Sequence, residues 1–83
     1  MHLIVRLFAH LVQYRPSASS GRSFTLEIPE GSDISTLIRQ LGIPEEEVKT
    51  VFVNHIISPP DTVLEEGDEV GIFSPIGGGS RGI

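Results

Sequence analysis

Glu65-Glu66-Gly67-Asp68-Glu69-Val70-Gly71-Ile72-Phe73-Ser74-Pro75-Ile76-Gly77-Gly78-Gly79 joins a turn, a strand and a run of glycine. Glu66-Gly67-Asp68 is turn chemistry, and Glu69 to Phe73 is a short apolar segment of strand composition. Three consecutive glycines have no side chains to pack and lose the most backbone freedom when ordered, so they are a poor way to finish a strand within a core. They suit a narrow channel in another protein. Without a Cβ, the chain lets a partner close its walls on the backbone and reach a carbonyl from either face. The strand before them is the last of the domain, and the segments upstream decide what it pairs with.

At the other end, His2 to Phe8 reads as a first strand, with Leu3, Val5 and Leu7 on one face and Ile4, Arg6 and Phe8 on the other. Both of its faces are expected to be partly buried. A loop follows, with turn formers at Arg15-Pro16-Ser17 and Ser19-Ser20-Gly21. The segment Ser23 to Ile28 then alternates apolar Phe24, Leu26 and Ile28 with Ser23, Thr25 and Glu27, a second strand with one wet face. Pro29-Glu30-Gly31 ends it. Ser32-Asp33 offers an N-cap for a helix whose Ile34, Leu37, Ile38 and Leu41 fall at i, i+3, i+4 and i+7. Gly42 sits where a left-handed residue closes a helix, and Ile43-Pro44 prevents continuation. Pro44 and the three glutamates after it predict one helical turn, with proline at its first position. Val51-Phe52-Val53 and Ile56-Ile57 flank Asn54-His55, a short hairpin, and Pro59-Pro60-Asp61 breaks the chain before the last strand.

Two antiparallel strands, a helix and three further strands predict an α+β fold in which a mixed sheet wraps one helix. A crossover through the helix lets the first and last strands pair in parallel at the sheet centre, which accounts for the near-continuous apolar run from Leu3 to Phe8. This is the ubiquitin-like β-grasp. One domain is expected over residues 1–76, with a flexible glycine-rich tail over 77–83.

Composition narrows the functional classes. Apolar residues at 39% and charged residues at 20% describe an ordinary globular chain, which sets disorder aside. Leu3-Ile4-Val5 is broken by Arg6, so neither a signal peptide nor a membrane span is read there, and a cytoplasmic location is expected. A net charge of -5, with acids gathered at Glu45-Glu46-Glu47 and Glu65 to Glu69, argues against nucleic acid and for a basic partner. Without cysteine the chain can form neither a persulfide nor a thioester of its own. His2, His10 and His55 do not recur at metal-ligand spacing and read as surface histidines, so no metal is expected. No Gly-x-Ser-x-Gly element presents a nucleophile, and no Lys-Ser or Lys-Thr follows the glycines to make a phosphate loop. No bound cofactor is expected.

The run from Leu64 to Gly79 resembles the C-terminal signature of the MoaD/ThiS sulfur carriers: a Gly-Asp turn, an apolar strand, Phe-x-Pro and a diglycine. Leu7-Phe8-Ala9 is similar to that family's first strand ending, Ile28-Pro29-Glu30-Gly31-Ser32 to its entry into the helix, and Val53-Asn54 to its central hairpin. The similarity spans nearly the whole chain, and the loop from His10 to Arg22 carries least of it.

The resemblance implies a carrier, not an enzyme. An adenylase similar to ubiquitin-activating enzymes would use ATP to convert the terminal glycine to an acyl adenylate, and sulfur would displace AMP to leave a thiocarboxylate. Gly79 would bear the reactive carbon and Gly78 would share the channel, while Phe73, Pro75, Ile76 and Gly77 would guide docking. An extended tail from Ser74 to Gly79 spans roughly 20 Å, enough to enter a partner's active site. Phe-Ser-Pro-Ile leans towards the MoaD side, hence towards molybdopterin synthesis with a larger synthase subunit. Carriers of that family end at the diglycine, whereas here Ser80-Arg81-Gly82-Ile83 follows, so removal of these residues by a processing protease is expected. The alternatives are a β-grasp interaction module that is never activated, a ThiS-type carrier for thiamine, and a ubiquitin-like modifier of lysines.

Overall fold

The computed structural model describes residues 1–16 and 23–74. Strands β1 (His2–Leu7), β2 (Ser23–Glu27), β3 (Thr50–Val53), β4 (Ile56–Ile57) and β5 (Glu69–Phe73) form one sheet in the order β2-β1-β5-β3-β4, and α1 (Ile34–Leu41) crosses between β2 and β3. β1 and β5 pair in parallel, Val5 opposite Val70 and Leu7 opposite Ile72, while every other pairing is antiparallel. The expected α+β grasp with a parallel centre is therefore present. The boundary expected between residues 76 and 77 lies outside the described residues.

α1 forms where its signals lie. Asp33 Oδ1 accepts from the Thr36 amide at 2.9 Å, and Gly42 closes the helix in the left-handed region at φ 79°. Ile34, Leu37 and Ile38 are buried against the inner sheet face, whose Leu3, Val5, Leu7, Val51, Val53, Val70 and Ile72 complete the core with Phe24, Leu11 and Leu64. The Asn54-His55 hairpin turn has φ 51° and 73°, the pair of left-handed residues that matches strand twist in a two-residue turn. Asn54 also ties the hairpin to the turn before β5: its Nδ2 donates to Asp68 Oδ1 and its Oδ1 accepts from the Glu69 amide, both at 3.0 Å.

Three local expectations are corrected. β1 stops at Leu7, and its faces are unlike: Leu3, Val5 and Leu7 are fully buried, whereas Ile4 and Arg6 are exposed. Helix α1 covers only one side of the sheet, so the apolar run does not mean burial on both. Ala9–Tyr14 is a 3₁₀ helix where a loop was expected, entered through Ala9 at φ 56° and anchored in the core by Leu11. Glu45–Glu47 is the expected single turn, but Pro44 stands at its N-cap instead of its first position.

Candidate functional site

Alternation places Ile4 and Arg6 of β1, Phe52 of β3, and Glu69, Gly71 and Phe73 of β5 on the sheet face away from α1, where they line a shallow cleft with Phe8. The Phe8 and Phe73 rings stack with centroids 4.0 Å apart and planes 8° from parallel. Phe52 meets Phe73 edge-on at 5.3 Å and 68°. Gly71 lies under the stack, where a Cβ would sit in van der Waals contact 3.4 Å from Phe8 Cε2 and 3.7 Å from Phe73 Cε1, leaving space for a methyl group but not for a larger side chain. The guanidinium of Arg6 stands 5.9 Å from the Phe8 centroid. Of the chain's four phenylalanines only Phe24 belongs to the core, and the other three are half-buried on this outer face. An apolar, aromatic surface of this kind fits a protein partner.

β5 leads directly from this face towards the glycine run. Its last residue is fixed by the Lys49 amide, which donates to the Phe73 carbonyl oxygen at 2.8 Å. The next residue, Ser74, is buried, with its Oγ 3.2 Å from His10 Nδ1. His10 Nε2 lies 2.9 Å from Glu47 Oε1, and the Tyr14 hydroxyl donates to the same oxygen at 3.0 Å. Hydrogen bonds from His10 and then Tyr14 hold the Glu47 carboxyl below its usual pKa, so it stays ionised and accepts from both. Nε2 therefore carries a proton. Loss of hydration, followed by the hydrogen bond to Glu47, pushes the Tyr14 phenol upward.

Of the residues expected to bear function, Phe73 stands at the centre of the aromatic face. Pro75, Ile76, Gly77, Gly78 and Gly79 lie outside the described residues. Phe8, Phe52 and Gly71 went unassigned, although parity along β1, β3 and β5 puts them beside Phe73 once the parallel pairing is accepted. His10 is not the plain surface histidine expected, because it is half-buried between a carboxylate and a hydroxyl. Glu47 and Ser74 were missed with it, and no periodicity signals such a long-range polar contact. Among the described residues, no group of three or more His, Cys, Asp or Glu could hold a metal ion, and no helix is long and apolar enough to cross a membrane.

The family model described as ThiS family matches residues 5–79. No curated protein matches the chain. Among solved structures, a putative molybdopterin converting factor subunit 1 from Pyrococcus furiosus is similar at 25% identity, with 89% of this chain and 97% of that one covered and a TM-score of 0.67. Small archaeal modifier protein 1 of H. volcanii has 18% identity over 89% of this chain and 97% of that one, with a TM-score of 0.68. Subunits 1 and 2 of the molybdopterin-converting factor from Helicobacter pylori 26695 form a complex whose matching chain has 20% identity over 90% of this chain and 95% of that one, with a TM-score of 0.60. The last two share the fold.

Proposed function

The chain belongs to the ThiS family, small ubiquitin-like carriers or modifiers on which partner enzymes act, and from that premise we propose that it carries sulfur as a thiocarboxylate on Gly79. The observation that carries this reading is the reach of the family match, which runs through the glycine run to residue 79. Ser80 follows, so Gly79 holds a peptide bond until the bond between Gly79 and Ser80 is cut. Hydrolysis there frees a carboxylate, a poor electrophile. In the partner adenylase an oxygen of that carboxylate attacks the α-phosphorus of ATP and pyrophosphate leaves. Hydrosulfide, sulfur at the sulfide level supplied by a partner, then attacks the acyl carbon and AMP leaves, giving the thiocarboxylate with no change of oxidation state. The chain has no cysteine, so the sulfur has to come from outside it.

The aromatic face around Phe73 serves as the docking surface, with Pro75, Ile76 and Gly77 continuing from it and Gly78 and Gly79 entering the partner's channel. The likeness at 25% identity to a putative molybdopterin converting factor subunit, and the two-subunit complex of the Helicobacter pylori factor, favour a larger subunit of that type as the sulfur-receiving partner. The likeness to an archaeal modifier protein supports a second reading in which the activated Gly79 is passed to a lysine. Both share the adenylation step and differ in the final nucleophile.

Intact mass spectrometry of the protein from its native cells tests the reading. A species ending at Gly79 with one oxygen replaced by sulfur is expected. A chain retaining Ser80 under all conditions, including beside an active adenylase, would overturn it, and Gly79 found joined to lysine side chains would establish the modifier reading.

A further inference from the structure

The last inward position of β5 is held in an unusual way. Val70 and Ile72 point into the core and are buried, and Ser74 takes the next inward place with 7% of its surface exposed. An aliphatic residue there would extend the core; a buried hydroxyl instead requires hydrogen-bond partners. His10 Nδ1 supplies one at 3.2 Å. His10 is itself braced, its Nε2 on Glu47 at 2.9 Å and Glu47 on the Tyr14 hydroxyl at 3.0 Å. These contacts bring the 3₁₀ helix Ala9–Tyr14, the turn Glu45–Glu47 and the end of β5 to one point. Ala9 adopts φ 56° to begin that 3₁₀ helix, a conformation costing a non-glycine residue about 1 kcal/mol or more.

We propose that His10 is a positioning residue for the chain beyond β5: braced by Glu47 and Tyr14, it latches the Ser74 hydroxyl and so sets the direction in which the following residues leave the sheet. The relevance to chemistry rests on the carrier reading above, because those residues lead to Gly79. Phe73 and Ser74 then divide the work, the first gripping the outer face through its ring stack and the second gripping the inner side through a hydrogen bond. The choice of a hydroxyl follows from its chemistry. A hydroxyl can donate to Nδ1 where that nitrogen is bare and accept from it where it carries a hydrogen, so Ser74 suits the ring in either arrangement. A strand end aimed in one direction brings the reacting carbon to the same place in the bound complex each time.

His10→Ala, Ser74→Ala and the double variant test this, with thermal unfolding to confirm folding and His10→Gln standing in if His10→Ala does not fold. In the full chain, nuclear magnetic resonance couplings report the Ser74 χ1 rotamer. His10→Ala is expected to convert a single rotamer into an average, and an unchanged single rotamer would overturn the latch. Cleavage after Gly79 removes none of the contacts within residues 1–74, so the trimmed chain serves for adenylation kinetics. There each single variant is expected to lower kcat roughly tenfold or more at unchanged KM, with the double no worse than either single. Unchanged kcat, a loss confined to KM, or effects that multiply would overturn the proposal. If the unsubstituted trimmed chain is not adenylated at all, the carrier reading fails on its own, and the χ1 measurement still decides the latch.

Discussion

Removing the rings of Phe8 and Phe73, singly and together, asks whether the outer-face stack is an energetic unit. With centroids 4.0 Å apart and planes 8° from parallel, the pair is closer than the usual spacing of aromatic pairs, about 4.5–7 Å, so its coupling is expected near the lower end of the usual range of about 0.5–1.5 kcal/mol beyond area burial. Phe73→Ala also loses the edge contact to Phe52 at 5.3 Å. A fully buried phenylalanine truncation costs about 3–5 kcal/mol, and a half-buried ring about half of that, roughly 1.5–2.5 kcal/mol. For a domain of this size each kcal/mol moves the melting temperature by about 4–8 °C, so Phe73→Ala is expected to melt roughly 6–20 °C lower. Phe8→Ala should cost less, since Phe8 has Phe73 and only a distant Arg6 as ring partners. Urea unfolding of the native, single and double variants gives the coupling energy directly. A value of about 0.5 kcal/mol or more is expected. Strict additivity, with coupling below about 0.3 kcal/mol, would refute the account of the face as a mutually braced cluster. The same variants, assayed for partner binding under conditions where they remain folded, should also bind more weakly: a central aromatic anchor costs about 2 kcal/mol or more on truncation, roughly thirtyfold in affinity.

Gly71→Val is expected to leave the sheet intact but spread the rings, because even the first carbon meets Phe8 Cε2 at 3.4 Å and the branched methyls reach further; ring-current shifts of Phe8 and Phe73 that match the native protein would contradict this. Asp33→Ala removes the acceptor of the Thr36 amide and hydroxyl and should lower unfolding free energy by about 1 kcal/mol, read by urea titration, whereas an unchanged midpoint would show that the cap is idle. Asp33 is held below its usual pKa chiefly by the Thr36 amide, Glu47 by His10 and Glu66 by the His2 amide, so each stabilises the fold in its ionised form. Their contribution is complete above the ordinary carboxylate range and is lost as pH falls through it towards the lowered native values. The melting temperature should therefore hold steady down to about pH 5 and then fall, with a shallower acid slope in Glu47→Gln; an equal slope in that variant would remove Glu47 from the account.

Much of the fold was legible because its signals are local. The stripe Ile34, Leu37, Ile38 and Leu41, Asp33 before it and Gly42 after it fix α1 without reference to the rest of the chain, and Asn54-His55 fixes the hairpin in the same way. The parallel centre followed from connection rules, since a helix between β2 and β3 leaves the first and last strands free to meet. Ala9–Tyr14 stayed hidden for the opposite reason: its entry needs a left-handed alanine, which no propensity selects, and its only buried residue is Leu11. Phe73 was legible by resemblance, but its neighbours Phe8 and Phe52 required the sheet order. The cluster of His10, Tyr14, Glu47 and Ser74 required more, because its hydrogen bonds span 37, 33 and 64 residues and depend on which way a single 3₁₀ turn aims one of three glutamates.

That contrast bears on where function sits. The core is closed on the α1 side by aliphatic side chains, so the domain had no need of three further phenylalanines on its other face, where each keeps part of its surface in water. Exposed aromatic surface lowers solubility, and an acidic chain of net charge -5 offsets that hazard without removing it. The polar cluster is equally unnecessary for packing, since an aliphatic residue at Ser74 would bury more apolar area than a hydroxyl. Both departures from the plainest stable sequence occur at one place, the last two described residues of the chain, one on each side of the sheet. A domain selected for stability alone would spread such compromises or avoid them. Gathering them at Phe73 and Ser74, immediately before the glycine run, supports the proposed roles of the two residues, the ring as part of a docking face and the hydroxyl as the partner of His10.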